Sequence, residues 1–221
     1  MTKSLLSRRA FMLGGVSAGG LALAGCTTTP KPATTPALPP IDPAYVRMYA
    51  PIPEERFPIP APNLRKIDPS FYRRVVKDPT GERPGTLVVN TGERALYLVR
   101  DDGTALRYGI GIGRAGFEWS GRAMIAAKRQ WPTWTPPAEM IEREPELEEW
   151  RGGMPPGLEN PLGARALYIH EDGVDTLYRL HGTIEDWSIG RAVSSGCVRL
   201  LNQDVIDLYQ RVPVNTPILV V

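Results

Sequence analysis

The chain has 221 residues, of which 42% are hydrophobic and 23% charged, with a formal net charge of +2. This is the composition of a folding chain of one or two domains, not of a disordered or fibrous one. The charge is nearly balanced and no basic run is interleaved with aromatics, which speaks against nucleic acid as a partner.

Residues 1–25 read as an export signal. Arg8-Arg9 is followed by an uncharged stretch from Ala10 to Gly25 that carries five glycines. A bilayer-spanning helix needs about 20 strongly apolar residues, so this shorter run is the hydrophobic region of a signal of the twin-arginine type. It ends in Leu23-Ala24-Gly25-Cys26, which resembles the lipobox of bacterial lipoproteins. That resemblance implies a lipid anchor on Cys26, with the mature chain exported and held to the cell envelope on its periplasmic face. A plain signal peptide cleaved near Ala24 is the alternative.

Residues 26–62 read as a Pro-rich tether, since eleven of the chain's 23 prolines fall in residues 27–62. Such a run favours extended polyproline conformations over helix or sheet ladders. Tyr45, Val46, Met48, Tyr49, Phe57 and Ile59 are out of place in a pure spacer, so the part from Ile41 onward is expected along the domain surface. Residues 63–84 form a lead-in, with a short helical turn within 68–76.

The folded domain is expected over 85–221. Residues 87–90 and 95–99 flank a turn at Thr91-Gly92-Glu93 and predict a β-hairpin. Further strands are expected at 106–112, 123–128, 167–170, 177–181 and 217–221, with turns at Asp101-Asp102-Gly103 and Glu171-Asp172-Gly173. A short helix is predicted after Pro137. Another is predicted over 202–212, where Val205, Leu208, Tyr209 and Val212 follow helical spacing, Asn202 can cap and Pro213 stops it. The fold class is mostly β: a single β-sandwich-like domain with a few short helices, behind a Pro-rich tether.

The chemistry concentrates between His181 and Arg199. If Cys26 is acylated, Cys197 has no second cysteine for a disulfide, and an idle thiol outside the cytoplasm is a liability. A thiol in that position is either buried and inert or kept for reactivity. Ser194-Ser195-Gly196 is small and permissive, suited to a turn that presents Cys197 with the amides of Ser195, Gly196 and Cys197 as an oxyanion site. His181 can take the thiol proton and return it to a leaving amine. Arg199 can hold an anionic group of a substrate, or else pair with an acid on the final helix. Two histidines and one available cysteine fall short of a structural zinc site, and a catalytic zinc on these residues, though conceivable, lacks a motif.

Taken in order, His181-Gly182-Thr183, Gly190 and the run from Ser194 to Leu200 resemble the signature of the L,D-transpeptidase catalytic domain. The likeness extends to residues 109–113, 131–137 and 160–164. It departs at Ser195, where many members have histidine, and at 119–122, where many have a Thr-Pro-x-Gly segment. The resemblance implies an enzyme of peptidoglycan biosynthesis that shapes the cell wall, needing no metal or organic cofactor, with Cys197 as nucleophile and His181 as proton donor and acceptor. Its thiolate would attack the L-centre carbonyl of a tetrapeptide stem, release D-alanine and pass the acyl group to an amine of a second stem or of a protein. Arg199, Gly182 and Ser194 would contact substrate, and Trp131 and Trp134 would wall the cleft. A hydrolase using the same thioester and a non-catalytic wall-binding lipoprotein are the rival readings.

Overall fold

The computed structural model describes residues 40–113, 119–194 and 197–221. The export signal, Cys26, the first part of the tether, and Ser195 and Gly196 lie outside the described residues. Eleven strands run β1 (Arg74–Lys77), β2 (Leu87–Asn90), β3 (Ala95–Val99), β4 (Thr104–Gly109), β5 (Ile112–Gly113), β6 (Gly121–Gln130), β7 (Arg165–Glu171), β8 (Val174–Thr183), β9 (Ala192–Ser194), β10 (Val198–Leu201) and β11 (Pro217–Val220). Three short α-helices accompany them: α1 (Pro43–Met48), α2 (Ala138–Arg143) and α3 (Asn202–Arg211).

Local turn chemistry sets the hairpins. Between β7 and β8, Asp172 and Gly173 both take positive φ (49° and 83°), the conformation that a tight two-residue hairpin turn demands. Nine strands join in the order β1-β4-β3-β2-β11-β6-β7-β8-β10, and β5 pairs with β9 separately. Leu87, Val89, Leu96 and Tyr108 from one half share a buried cluster with Ile125, Leu167, Ile169, Leu180 and Leu200 from the other. The sheet therefore curls over its own core, which is the expected sandwich-like arrangement. Past β4, Gly111 exchanges two backbone hydrogen bonds with Arg199 of β10, at 2.9 and 2.7 Å, and draws the two ends of the sheet together. A side chain at Gly111 would meet the Ser188 carbonyl at 2.6 Å, so glycine is needed for this closure.

Helix α3 packs Val205 and Leu208 into the same core, joined by Val212 just beyond its end. Burying such side chains stabilises by about 1.5–3 kcal/mol each. It stops where Val212, held extended by the proline that follows, can no longer be helical. Its start differs from expectation. Leu201 occupies the cap position with no side-chain cap bond, because the Asn202 side chain is committed elsewhere in the fold.

From residue 41 onward the tether lies along the domain. Asp42 caps α1 by accepting from Ala44 N at 2.8 Å, and Tyr49, Leu64, Ile67 and Tyr72 form a buried cluster with Ile189 and Leu201. Ile59 joins a second cluster with Trp131, Ala164 and Ile206. The prolines here separate apolar anchors that fasten to the domain. Within 68–76, a 3-10 turn at Pro69–Phe71 leads directly into β1.

Candidate active site

Strands β8 and β10 run parallel, with Val198 opposite Leu180, Arg199 opposite His181 and Leu200 opposite Gly182. Leu180, Val198 and Leu200 point into the core. Side chains alternate along a strand, so Arg179, His181 and Arg199 share the other face. Cys197 immediately precedes β10 and continues its alternation, which sets it beside Arg179. The two chemically active residues, sixteen positions apart in sequence, thus arrive on one face through a parallel register.

His181 is buried, and its Nδ1 lies 2.8 Å from the carbonyl oxygen of Gly182. A carbonyl only accepts, so Nδ1 carries the proton and Nε2 is the basic nitrogen. Burial depresses His181 to about 4, against hydrogen bonds to the Gly182 and Pro161 carbonyls that favour its charged form. Cys197 is half-buried, with Sγ 3.8 Å from the Leu177 carbonyl. Burial pushes its thiol up, opposed by a hydrogen bond from the Arg179 backbone and by the charges of Arg179 and Arg199. The resting pair is therefore neutral thiol and neutral imidazole.

No carboxylate orients the imidazole in the hydrogen bonds described; backbone carbonyls do so. Gly182 N donates to Leu162 O at 3.1 Å. The 160–164 segment is itself fixed by Asn160, whose Nδ2 donates to the carbonyls of Pro132, Met154 and Pro155.

A family model for the L,D-transpeptidase catalytic domain (YkuD) matches residues 84–220. The chain belongs to the L,D-transpeptidase catalytic-domain family. It is 38% identical over 136 residues to the Probable L,D-transpeptidase YbiS of Escherichia coli K12, covering 59% of this chain and 42% of that protein. To the Probable L,D-transpeptidase ErfK/SrfK of the same organism it is 37% identical over 141 residues, 61% of this chain and 43% of that one. The chain thus spans less than half the length of these curated relatives. A Brucella melitensis crystal structure described as a probable carnitine operon oxidoreductase is 48% identical, with a TM-score of 0.50, covering 68% of this chain and 94% of that one.

Within this L,D-transpeptidase domain, several expected site residues have other places. Trp131, expected along the cleft, is buried in the cluster with Ile59 and Ile206, and its Nε1 donates to Glu55 at 2.8 Å. Trp134 is half-buried, with its backbone bridged to Met154. Gly182 is buried under α3: a Cβ there would come within 2.1 Å of Asn202 Oδ1. Its carbonyl meets His181 Nδ1. Arg199 forms an ion pair with Glu185 at 2.5 Å, an acid from the loop after β8 and not from the final helix, so an incoming carboxylate must displace Glu185. Ser194 closes β9, and the oxyanion amides of Ser195 and Gly196 lie outside the described residues.

Arg179, Glu185 and Pro161 were not legible as site residues in the sequence. Arg179 stacks over Tyr168 at 4.5 Å and pairs with Asp175 through both guanidinium nitrogens, at 2.7 and 2.8 Å. Its place two residues before His181 on a strand is the one signal that could have drawn attention to it.

Proposed function

We propose that the chain is a cysteine-dependent peptidoglycan L,D-transpeptidase. The observation that carries the reading is the β8–β10 register, which sets Cys197 and His181 on one face inside a domain of this family. In the first half-reaction, the Sγ–H proton passes to His181 Nε2 as sulfur attacks the L-centre carbonyl of a tetrapeptide stem. The S–C bond forms, the C–N bond to D-alanine breaks, and the amine leaves with the proton that His181 held. In the second, an acceptor amine attacks the thioester and His181 takes its proton, so that Cys197 is released as a thiol. Amides around Cys197 would hold the oxyanion. Arg199, by exchanging Glu185 for a substrate carboxylate, would orient the stem. Export by the twin-arginine route and a lipid anchor on Cys26 would place this chemistry at the wall.

Incubating the purified full chain with tetrapeptide muropeptides and weighing the products tests this. Crosslinked dimer with loss of D-alanine is expected. Tripeptide alone would make the enzyme a hydrolase of the same thioester, and no product, from either the protein or its Cys197→Ala variant, would overturn the catalytic reading.

A further inference from the structure

Asn202 opens α3, yet its side chain does nothing for the helix: no side-chain bond caps that end. It is 2% exposed and turns back under the sheet, where Oδ1 accepts from Ala164 N at 2.9 Å. The same oxygen sits against two glycines. A Cβ at Gly182 would meet it at 2.1 Å, and a Cβ at Gly163 would meet it at 2.6 Å and the Gly182 carbonyl carbon at 2.6 Å. Gly163 takes φ +60°, a conformation that itself favours glycine. Gly163, Gly182 and Asn202 therefore form a wedge that closes only when two of the three have no side chain.

The wedge lies behind the imidazole. Gly182 supplies the carbonyl that fixes His181 Nδ1, and the segment containing Gly163 and Ala164 also supplies Pro161, the other carbonyl acting on that ring. One amide oxygen at the start of α3 thus sets the spacing between the two backbone segments that orient the catalytic base. We propose that Asn202 is a positioning residue for His181, holding the ring in the Nδ1–H form with Nε2 turned to the thiol. The proposal rests on the Cys197–His181 reading above.

The test uses the full chain labelled with 15N-histidine, comparing wild type, Asn202→Ala and Asn202→Asp, which keeps an oxygen at the Oδ1 position. In the wild type, the ring nitrogen shifts should report one tautomer, protonated at Nδ1. Asn202→Ala should show a mixture of tautomers and lose roughly tenfold to a hundredfold in kcat, as a displaced catalytic group does, with KM within about twofold. Asn202→Asp should recover the single tautomer and most of kcat. A folded Asn202→Ala that keeps the tautomer overturns the proposal, whatever its kcat. If Asn202→Ala does not fold, a folded Asn202→Asp with mixed tautomers overturns it equally. A wild type that turns over no muropeptide, while the tautomers behave as described, defeats the transpeptidase reading and leaves the positioning of His181 standing.

Discussion

Two buried polar regions lie on opposite sides of α3 and solve the problem of burial in opposite ways. One ties the lead-in to the helix. Tyr49 donates to Asp204 at 3.2 Å, Arg73 pairs with Asp204 at 3.6 Å and Asp207 at 2.8 Å, and Tyr108 and Arg211 also donate to Asp207. Every charge there meets an opposite charge or a hydroxyl. The other region, His181 and Cys197, has no carboxylate among its described hydrogen bonds. It is held by backbone carbonyls and kept neutral by burial. The paired network fixes the lead-in to the domain, whereas the neutral pair leaves a thiol and a basic nitrogen available for chemistry.

The largest effect should come from breaking the network. Arg73→Met strips the cation from buried Asp204 and half-buried Asp207, and removing one partner of a buried ion pair costs about 3–5 kcal/mol. Urea unfolding should show that loss, while kcat of the folded fraction stays near wild type because no atom of the site has moved. A matching loss of kcat would show that the two regions are not separable.

Opposite solutions to burial also predict opposite pH dependences. His181 titrates at about 4 when folded, below its ordinary 6.5. The unfolded chain therefore binds more protons between these values, and stability from this group is lost as pH falls through that window. Asp204 is pushed up to about 7 from 3.8, chiefly by burial and in spite of Arg73. Here the folded state binds more protons, so stability falls as pH rises from about 4 to about 7. Each group contributes about 1.4 kcal/mol per pH unit within its window, and between pH 4 and 6.5 the two oppose each other. Unfolding free energy against pH should therefore gain a downward slope toward low pH in Asp204→Asn, and the reverse slope in His181→Gln. Parallel curves for the two variants would contradict the assignment.

A smaller effect sharpens the catalytic side. Arg179 lies beside Cys197 and its charge favours the thiolate. Arg179→Met should shift the pH profile of Cys197 alkylation by iodoacetamide to higher pH, slowing it a few-fold at neutral pH. An unchanged profile would remove Arg179 from the electrostatics of the site.

The two regions also differ in how far the sequence disclosed them. The β2–β3 hairpin and α3 were legible because turn residues and helical spacing are local signals. Cys197 and His181 stood out because cysteine and histidine are scarce in this chain and carry distinctive chemistry. Strand β10 was hidden: the four residues that follow Cys197 have too little alternation to read, and its parallel pairing with β8 is a long-range event. Asn202 looked like a cap because position before a helical run is the only local evidence, while its partner, Ala164, is 38 residues away. Trp131 was given to the cleft by the family resemblance alone, and Glu55 meets it from a segment that composition marks as a spacer.

The central claim is that Cys197 carries the acyl group, and intact-protein mass spectrometry after mixing the full chain with a tetrapeptide stem tests it most directly. A mass gain equal to the stem less D-alanine is expected on the wild type and none on Cys197→Ala. Turnover of the stem with no adduct on Cys197, or an adduct that survives Cys197→Ala, would contradict it.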